Sequence, residues 1–63
     1  APGAIIAGQC KIKDNVFVGI GSLLKENITV ERNTIIGGGS FVNKNCASNS
    51  KYFGNPVRLI KKL

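Results

Sequence analysis

A short glycine-rich motif occurs twice in the chain and is its best candidate for chemistry. The segment 18–22 (VGIGS) is followed 18 residues later by the segment 36–40 (IGGGS). If positions 18 apart lie one above the other, the two segments form a strip of nearly bare backbone. The N–H and C=O groups of such a strip could pair with a narrow ligand that itself contains amides. Alternatively, the glycines only relieve strain at corners of the backbone.

Few side chains could act as an acid, a base or a metal ligand. The 63 residues contain no histidine, and their acids are Asp14, Glu26 and Glu31. These three carboxyl groups fall on ordinary surface positions of the repeat described next, so they are not assigned a catalytic role. We therefore predict no catalytic residue and no metal site within these residues.

A period of six residues organises the chain. From Ile6 onwards, every sixth residue is a branched aliphatic: Ile6, Ile12, Val18, Leu24, Val30, Ile36 and Val42. This period fits neither the 3.6 residues of an α-helical turn nor the alternation of a single strand. It indicates a coil of short extended segments separated by regular corners.

Two further columns support this interpretation. Four residues after each aliphatic comes a small or β-branched residue, which suits a tight interior: Cys10, Val16, Ser22, Ile28, Thr34, Ser40 and Cys46. Three residues after each aliphatic comes a predicted left-handed corner residue, in most cases Gly or Asn: Gln9, Asn15, Gly21, Asn27, Asn33, Gly39 and Asn45. Three such sides close a turn, and parallel pairing stacks the turns about 4.8 Å apart. The predicted fold is all-β, a parallel β-helix of about two and a third coils.

The period predicts two parts, a coil of residues 1–47 and a C-terminal loop and capping segment of residues 48–63. It fails at Ser48, where the aliphatic column requires a branched residue. Residues 48–51 then predict a loop, 54–56 a turn, and 57–63 a short amphipathic helix that covers the last coil. Because residues 1–5 resemble the tail of one more hexad, we expect the coil to begin upstream.

Cysteine spacing and charge limit the location and the partners. Cys10 and Cys46 are two predicted coils apart with Ile28 between them, so their backbones would lie about 9 to 10 Å apart, beyond disulfide reach. Reduced core thiols favour the cytoplasm. The net charge of +6 includes a terminal cluster of Lys51, Arg58, Lys61 and Lys62. This cluster fits a solvated surface or a phosphate-bearing cofactor better than nucleic acid, because no aromatic residues are interleaved with the cations. No run of apolar residues suggests a membrane partner.

Taken together, these features resemble the closing part of the hexapeptide-repeat acetyltransferases. The resemblance rests on residues 1–4 (APGA), 7–8 (AG), the two glycine motifs and residues 52–58 (YFGNPVR). It is strongest for the group of sialic acid O-acetyltransferases and UDP-4-amino-sugar acetyltransferases. It implies a left-handed β-helix and a homotrimer with acetyl-CoA bound in grooves between neighbouring prisms.

The same resemblance implies site residues. Gly8, Ile20 and Gly38 match positions that contact acetyl-CoA, and Gly37 is a neighbour of that site. Arg58 is a candidate phosphate partner because of its charge and location. The pantetheine arm of coenzyme A is a narrow, amide-containing chain of the kind that the glycine strip could hold. In this family a histidine base activates the acceptor. The chain has none, so we expect it to be inactive alone.

Three functions remain open at this point. The leading one is the C-terminal segment of a trimeric, acetyl-CoA-dependent sugar O- or N-acetyltransferase, whose sugar or nucleotide-sugar acceptor is contacted by residues outside this chain. The second is a noncatalytic hexapeptide-repeat module for oligomer assembly. The third is a prism similar to a γ-class carbonic anhydrase, which requires three histidines on zinc that this sequence lacks.

Overall fold

A computed structural model describes residues 3–63, and every regular element in that range is a β-strand. Seven two-residue strands recur at intervals of six: β1 (Ile5–Ile6), β2 (Lys11–Ile12), β3 (Phe17–Val18), β4 (Leu23–Leu24), β5 (Thr29–Val30), β6 (Ile35–Ile36) and β7 (Phe41–Val42). Each strand ends on the branched aliphatic of its hexad, because this position turns its side chain inward. The predicted six-residue period is therefore confirmed as far as Val42.

Three parallel sheets form the sides of a prism. The first contains β1, β4 and β7, the second β2 and β5, and the third begins with β3 and β6. In the first sheet Ile6 pairs with Leu24 and Leu24 with Val42. Every one of these steps is 18 residues, so positions 18 apart do stack, and the predicted three-sided coil is confirmed.

The prism interior combines aliphatic side chains with satisfied hydroxyl groups. Leu24, Ile36 and Val42 are fully buried. Between them lie small residues such as Ser22 and Thr34, whose hydroxyls donate to backbone carbonyls. In residues 3–63 no buried side-chain nitrogen or oxygen lacks a hydrogen-bond partner. Polar groups in this core therefore carry little desolvation cost.

The corners use left-handed backbone, as the Gly and Asn column predicts. Six of the seven predicted residues have φ between 57° and 70°: Gln9, Asn15, Gly21, Asn27, Asn33 and Gly39. Asn45 was predicted to be the seventh, and this is wrong, because its φ is not positive. Asn49, with φ of 54°, adopts this conformation instead.

The physical reason is that the third turn is two residues shorter than the others. Val30 pairs with Cys46, and Ile36 pairs with Tyr52, so both steps are 16 residues instead of 18. The shortening falls at residues 43–45, where the Asn45 side-chain oxygen accepts a hydrogen bond of 2.8 Å from the Thr29 amide. Cys46 consequently enters the aliphatic column, and its predicted place in the stack with Cys10 and Ile28 is wrong.

The parallel coil continues past residue 47, where the sequence pattern predicts its end. Strand β8 (Ser50–Gly54) pairs in parallel with β6 and completes the third turn. Tyr52 on β8 occupies the interior position above Ile36 and is buried. Its hydroxyl accepts a hydrogen bond of 3.1 Å from the Ala47 amide.

The short C-terminal helix predicted over residues 57–63 is wrong. Residues Val57–Lys62 form strand β9, which pairs antiparallel with β8. A seven-residue helix is marginal in water, and it would leave the backbone groups along the free edge of β8 unpaired. Pairing satisfies those groups and places Val57 in the core, where it is 2% exposed.

The interior residues are shielded from solvent at one end of the prism and not at the other. At the C-terminal end Val42 and Cys46 are fully buried, with Tyr52 and Val57 in the same core cluster. At the N-terminal end the interior residue Ile6 is 49% exposed. Ala1 and Pro2 lie outside the described residues. Both cysteines are free, and within residues 3–63 no helix is long and apolar enough to cross a membrane.

Candidate functional site

The two glycine motifs meet at one corner of the prism, which we call the glycine corner (residues 19–21 and 37–39). The Gly19 amide donates to the Ile36 carbonyl, and the Gly39 amide donates to the Ile20 carbonyl, both at 2.8 Å. A Cβ atom on Gly19 would lie 2.7 Å from the Cα of Gly38. The predicted stacking of the two motifs is therefore confirmed, and backbone touches backbone between the two levels.

Gly38 offers free peptide groups to solvent. Among the described residues neither its amide nor its carbonyl has a hydrogen-bond partner, and the residue is exposed. Ile20 lies directly beneath it: a Cβ on Gly38 would be 3.3 Å from the Ile20 carbonyl oxygen. The Ile20 side chain is 64% exposed. The two residues thus form an outward step with one donor, one acceptor and an apolar surface, which suits a ligand containing an amide.

Gly37 is half-buried, and both of its peptide groups are hydrogen-bonded. Its amide donates to the Tyr52 carbonyl at 2.8 Å. Its carbonyl accepts the hydroxyls of Ser22, at 3.1 Å, and Ser40, at 2.7 Å. The Phe53 ring lies against its Cα, where a Cβ atom would overlap the ring. The predicted strip of bare backbone is therefore open at Gly38 but covered at Gly37.

An open groove of about 380 Å³ lies beside the glycine corner, lined by Gly37, Lys51, Phe53 and Ile60. Phe53 is not among the residues that the sequence predicts for the site, yet it lines this groove. Its ring is 51% exposed. The sequence signal for it is an aromatic residue directly before the predicted turn at residues 54–56 and close to the terminal cations.

The terminal cations lie on the β8–β9 hairpin beside this groove. Arg58 pairs with Phe53 across the hairpin, and Lys51 pairs with Lys61. Like charges directly opposite one another on an antiparallel pair repel. Together the cations favour an anion near the hairpin. Arg58 lies on this hairpin, and its role as a phosphate partner stays a prediction.

Gly8 is not part of the glycine corner. It lies at the corner between β1 and β2, where its carbonyl accepts a hydrogen bond of 3.1 Å from the Asn27 amide. The face formed by β1, β4 and β7 separates this corner from Gly38. Of the predicted site residues, one chain therefore brings together Ile20, Gly37, Gly38 and, across Phe53, Arg58.

The buried thiol of Cys46 is a poor nucleophile, and the described residues hold no cluster of metal ligands. Burial raises the pKa of the Cys46 thiol to about 11, and nearby Lys44 lowers it by a smaller amount. This thiol is therefore protonated at neutral pH and a weak nucleophile. Within residues 3–63 no three His, Cys, Asp or Glu side chains cluster closely enough to bind a metal ion.

The repeat geometry agrees with a known protein family. Residues 9–44 match the bacterial transferase hexapeptide family, which is described by six repeats. The chain belongs to this family. The match covers more than half of the sequence and includes both glycine motifs.

Solved structures confirm the fold of this hexapeptide-repeat chain. A maltose O-acetyltransferase from Clostridium difficile 630 matches 86% of this chain with a TM-score of 0.84 and 44% identity, over 29% of its own length. A galactoside acetyltransferase in complex with coenzyme A matches 84% with a TM-score of 0.83 and 32% identity, over 26% of its length. The predicted left-handed parallel β-helix is thereby confirmed. The sialic acid and amino-sugar subgroup remains a prediction.

A sequence relative has a different activity. The mitochondrial gamma carbonic anhydrase 2 of Arabidopsis thaliana is 36% identical over 62 residues, which are 95% of this chain and 22% of that protein. The hexapeptide chain spans less than a third of each of these relatives. The chain is therefore similar to proteins of two different activities over the same stretch of sequence.

Proposed function

We propose that this chain is the coenzyme A-binding, C-terminal part of an acetyl-CoA-dependent sugar O- or N-acetyltransferase. The observation that carries the proposal is the free amide and carbonyl of Gly38, at a corner that Gly19 keeps clear of side chains. The similarity to maltose and galactoside acetyltransferases supports the reaction class, and the coenzyme A complex of the latter supports acetyl-CoA as co-substrate.

In this proposal the pantetheine arm lies along the glycine corner. Its amides pair with the peptide groups of Gly38, while its methylene groups pass over the exposed Ile20 side chain. The phosphates then lie toward the hairpin, where Arg58 provides a planar donor that suits phosphate oxygens. Phe53 and the apolar groove beside Gly37 lie between the glycine corner and Arg58.

A homotrimer is part of the proposal, because Gly8 lies at another corner of the same chain. The face between the two corners carries outward-facing apolar residues: Ile5 is 62% exposed and Leu23 is 41% exposed, with Phe41 in the same ladder. Packing of this face against a neighbouring copy would bury those side chains. It would also bring Gly8 of one copy toward Gly38 of the next, so that two chains line one site.

The chemistry is acyl transfer from a thioester. The acceptor oxygen or nitrogen attacks the thioester carbonyl, the sulfur of coenzyme A leaves, and a general base removes the acceptor proton. This chain has no histidine to act as that base. Its share of the reaction is to bind and orient the thioester, which lowers the entropic cost of reaching the attack geometry. We propose that the base and the acceptor contacts come from residues outside this chain.

Acetyl-CoA binding tests the proposal directly. Saturable binding should be lost in Gly38→Trp, because the indole covers the free peptide groups. Asp14→Trp is the matched control, since it places the same ring at the equivalent position of a corner outside the proposed site. Circular dichroism should show an intact coil in both variants. Unchanged binding in Gly38→Trp contradicts the site, and no binding by the wild type favours an assembly module.

The similarity to a carbonic anhydrase supports a second candidate. That activity needs a zinc ion on three histidines, and the residues present do not fit this set, because the chain has no histidine. In that case the coil would serve as a scaffold for ligands elsewhere. Stoichiometric zinc in the purified protein, together with CO₂ hydration and no acetyl-CoA binding, would favour it.

We further propose that the protein works in the cytoplasm, which supplies acetyl-CoA and keeps thiols reduced. The free Cys10 and Cys46 support this location. Fractionation of cells that express the tagged protein tests it, with recovery in an oxidising compartment as the contradicting outcome.

A further inference from the structure

We propose that Ser40 is a positioning residue that ties the glycine corner to the β8–β9 hairpin and thereby sets the affinity for coenzyme A. This inference rests on the proposed function. It goes beyond that proposal because it concerns an interior residue that makes no contact with the ligand. The side chain belongs to the small-residue column and is 2% exposed. It cannot touch a ligand, so its effect must act through the residues that it holds.

The Ser40 hydroxyl bridges two segments of the chain. It donates a hydrogen bond to the Gly37 carbonyl at 2.7 Å and accepts one from the Gly54 amide at 3.2 Å. Gly37 belongs to the glycine corner, whereas Gly54 is the last residue of β8. One buried hydroxyl therefore uses its donor on Gly37, which lines the groove, and its acceptor on Gly54, which directly follows the groove residue Phe53.

Both partners of Ser40 are next in sequence to residues of the proposed site. Gly54 follows Phe53, whose ring covers Gly37, and Gly37 precedes Gly38, which carries the free peptide groups. If the bridge is lost, the half-buried Gly54 amide loses the Ser40 hydroxyl as its acceptor, and the end of β8 is less firmly held. A movement there displaces Phe53 relative to Gly37 and changes the shape of the groove that these two residues line.

Ser22 provides a matched control in the same interior column. Its hydroxyl donates to the same Gly37 carbonyl, at 3.1 Å, but makes no hydrogen bond to the hairpin. Ser22→Ala therefore removes an equivalent buried hydroxyl without cutting the bridge. Ser40→Thr is the conservative variant, since Thr34 occupies the corresponding column position at another corner and is fully buried. The threonine retains a hydroxyl and should preserve both bonds.

The test measures two quantities on the intact protein: the hydrogen-exchange rate of the Gly54 amide and the dissociation constant for acetyl-CoA. In Ser40→Ala we expect exchange at least about tenfold faster and a dissociation constant about fivefold higher, which correspond to a hydrogen bond of ordinary strength. Where turnover can be measured, KM should rise while kcat stays within about twofold. Ser22→Ala should leave both quantities within about twofold, and Ser40→Thr should restore them.

Each other outcome contradicts a different claim. Faster exchange of Gly54 with unchanged acetyl-CoA affinity means that the bridge exists but does not set affinity, which overturns the inference alone. An equal loss of affinity in Ser22→Ala and Ser40→Ala also overturns it, because the effect would then come from general loosening of the core. If the wild type binds no acetyl-CoA, the proposed function fails, and the inference fails with it.

Discussion

The backbone nitrogen of Gly38 lies where a side chain on Gly19 would have to be. A Cβ atom built on Gly19 would approach that nitrogen to 2.5 Å, which real Cβ atoms essentially never do. The two residues are on adjacent levels of the coil, and only a hydrogen atom fits between them. This contact lets the backbones of the two levels touch, and it places the exposed Gly38 directly over Gly19.

Gly19→Ala is therefore expected to destabilise the coil by about 3 kcal/mol, because the added methyl group meets rigid backbone that cannot move aside. Urea denaturation measures the change in the free energy of unfolding. Gly8→Ala is the control: a Cβ at Gly8 meets nothing within 4 Å, so the change should stay within about 0.5 kcal/mol. Equal effects at the two positions would contradict the close approach at Gly19.

Tyr52→Phe tests how the last turn is closed. The Tyr52 hydroxyl is the acceptor for the Ala47 amide, and the ring itself is buried. Its removal leaves that amide without a partner, which should lower the free energy of unfolding by about 1 to 2 kcal/mol. Phe17→Tyr is a suitable control, because it adds a hydroxyl to a ring that is 58% exposed. A neutral result for Tyr52→Phe would mean that water replaces the hydroxyl.

The coil could be predicted from the sequence because each six-residue repeat contains the residues that define its own strand and corner. An aliphatic residue such as Leu24 or Val30 marks each side of the prism, and a residue with left-handed backbone such as Asn27 marks each corner. Six residues are therefore enough to recognise one side with its corner. The third turn breaks this rule, since it omits two residues while it preserves the stacking. A fixed period consequently assigned Cys46 to the wrong column and Asn45 to the wrong conformation.

The site was predictable only in its glycine corner. Gly37 and Gly38 lie above Gly19 and Ile20 through the same 18-residue spacing that defines the coil. Phe53 reaches the groove through the β8–β9 hairpin, and the place of this hairpin depends on the shortened third turn. The hydrogen bond between Ser40 and Gly54 depends on the same turn. The free edge of β8 then favours a strand over residues 57–62, where apolar spacing alone suggests a helix.

Cys46 should make stability fall at alkaline pH. Burial raises the pKa of its thiol to about 11 from 9.0, so the folded state binds the proton more tightly than the unfolded chain does. The stabilisation is complete below pH 9 and is lost as the pH rises toward 11, to an extent of about 2 kcal/mol. Cys46→Val should remove this component, since valine already fills the same column at position 30. The free energy of unfolding, measured at several pH values in the wild type and in Cys46→Val, separates the Cys46 contribution from that of lysine titration. If the two proteins lose stability in parallel as the pH rises, the Cys46 contribution is contradicted.

Substitutions of Asn33 test whether the left-handed backbone determines the residue types at the corners. It has φ of 57°, and its side-chain amide donates to the Asn49 side-chain oxygen at 2.9 Å, so two levels of one corner are linked. Asn33→Val should cost about 2 kcal/mol, because a β-branched residue is strained in the left-handed region and the bond is lost. Asn33→Gly keeps the backbone conformation and should cost less than about 1 kcal/mol.

Asn43→Val is the matched control for that pair, since Asn43 is exposed and does not have positive φ. Urea denaturation should show that Asn33→Val has a clearly lower free energy of unfolding than Asn43→Val. If the two variants are equally stable, left-handed strain does not determine the residue types at these corners. The Gly and Asn column would then reflect solubility, and the repeat would depend on its aliphatic interior alone.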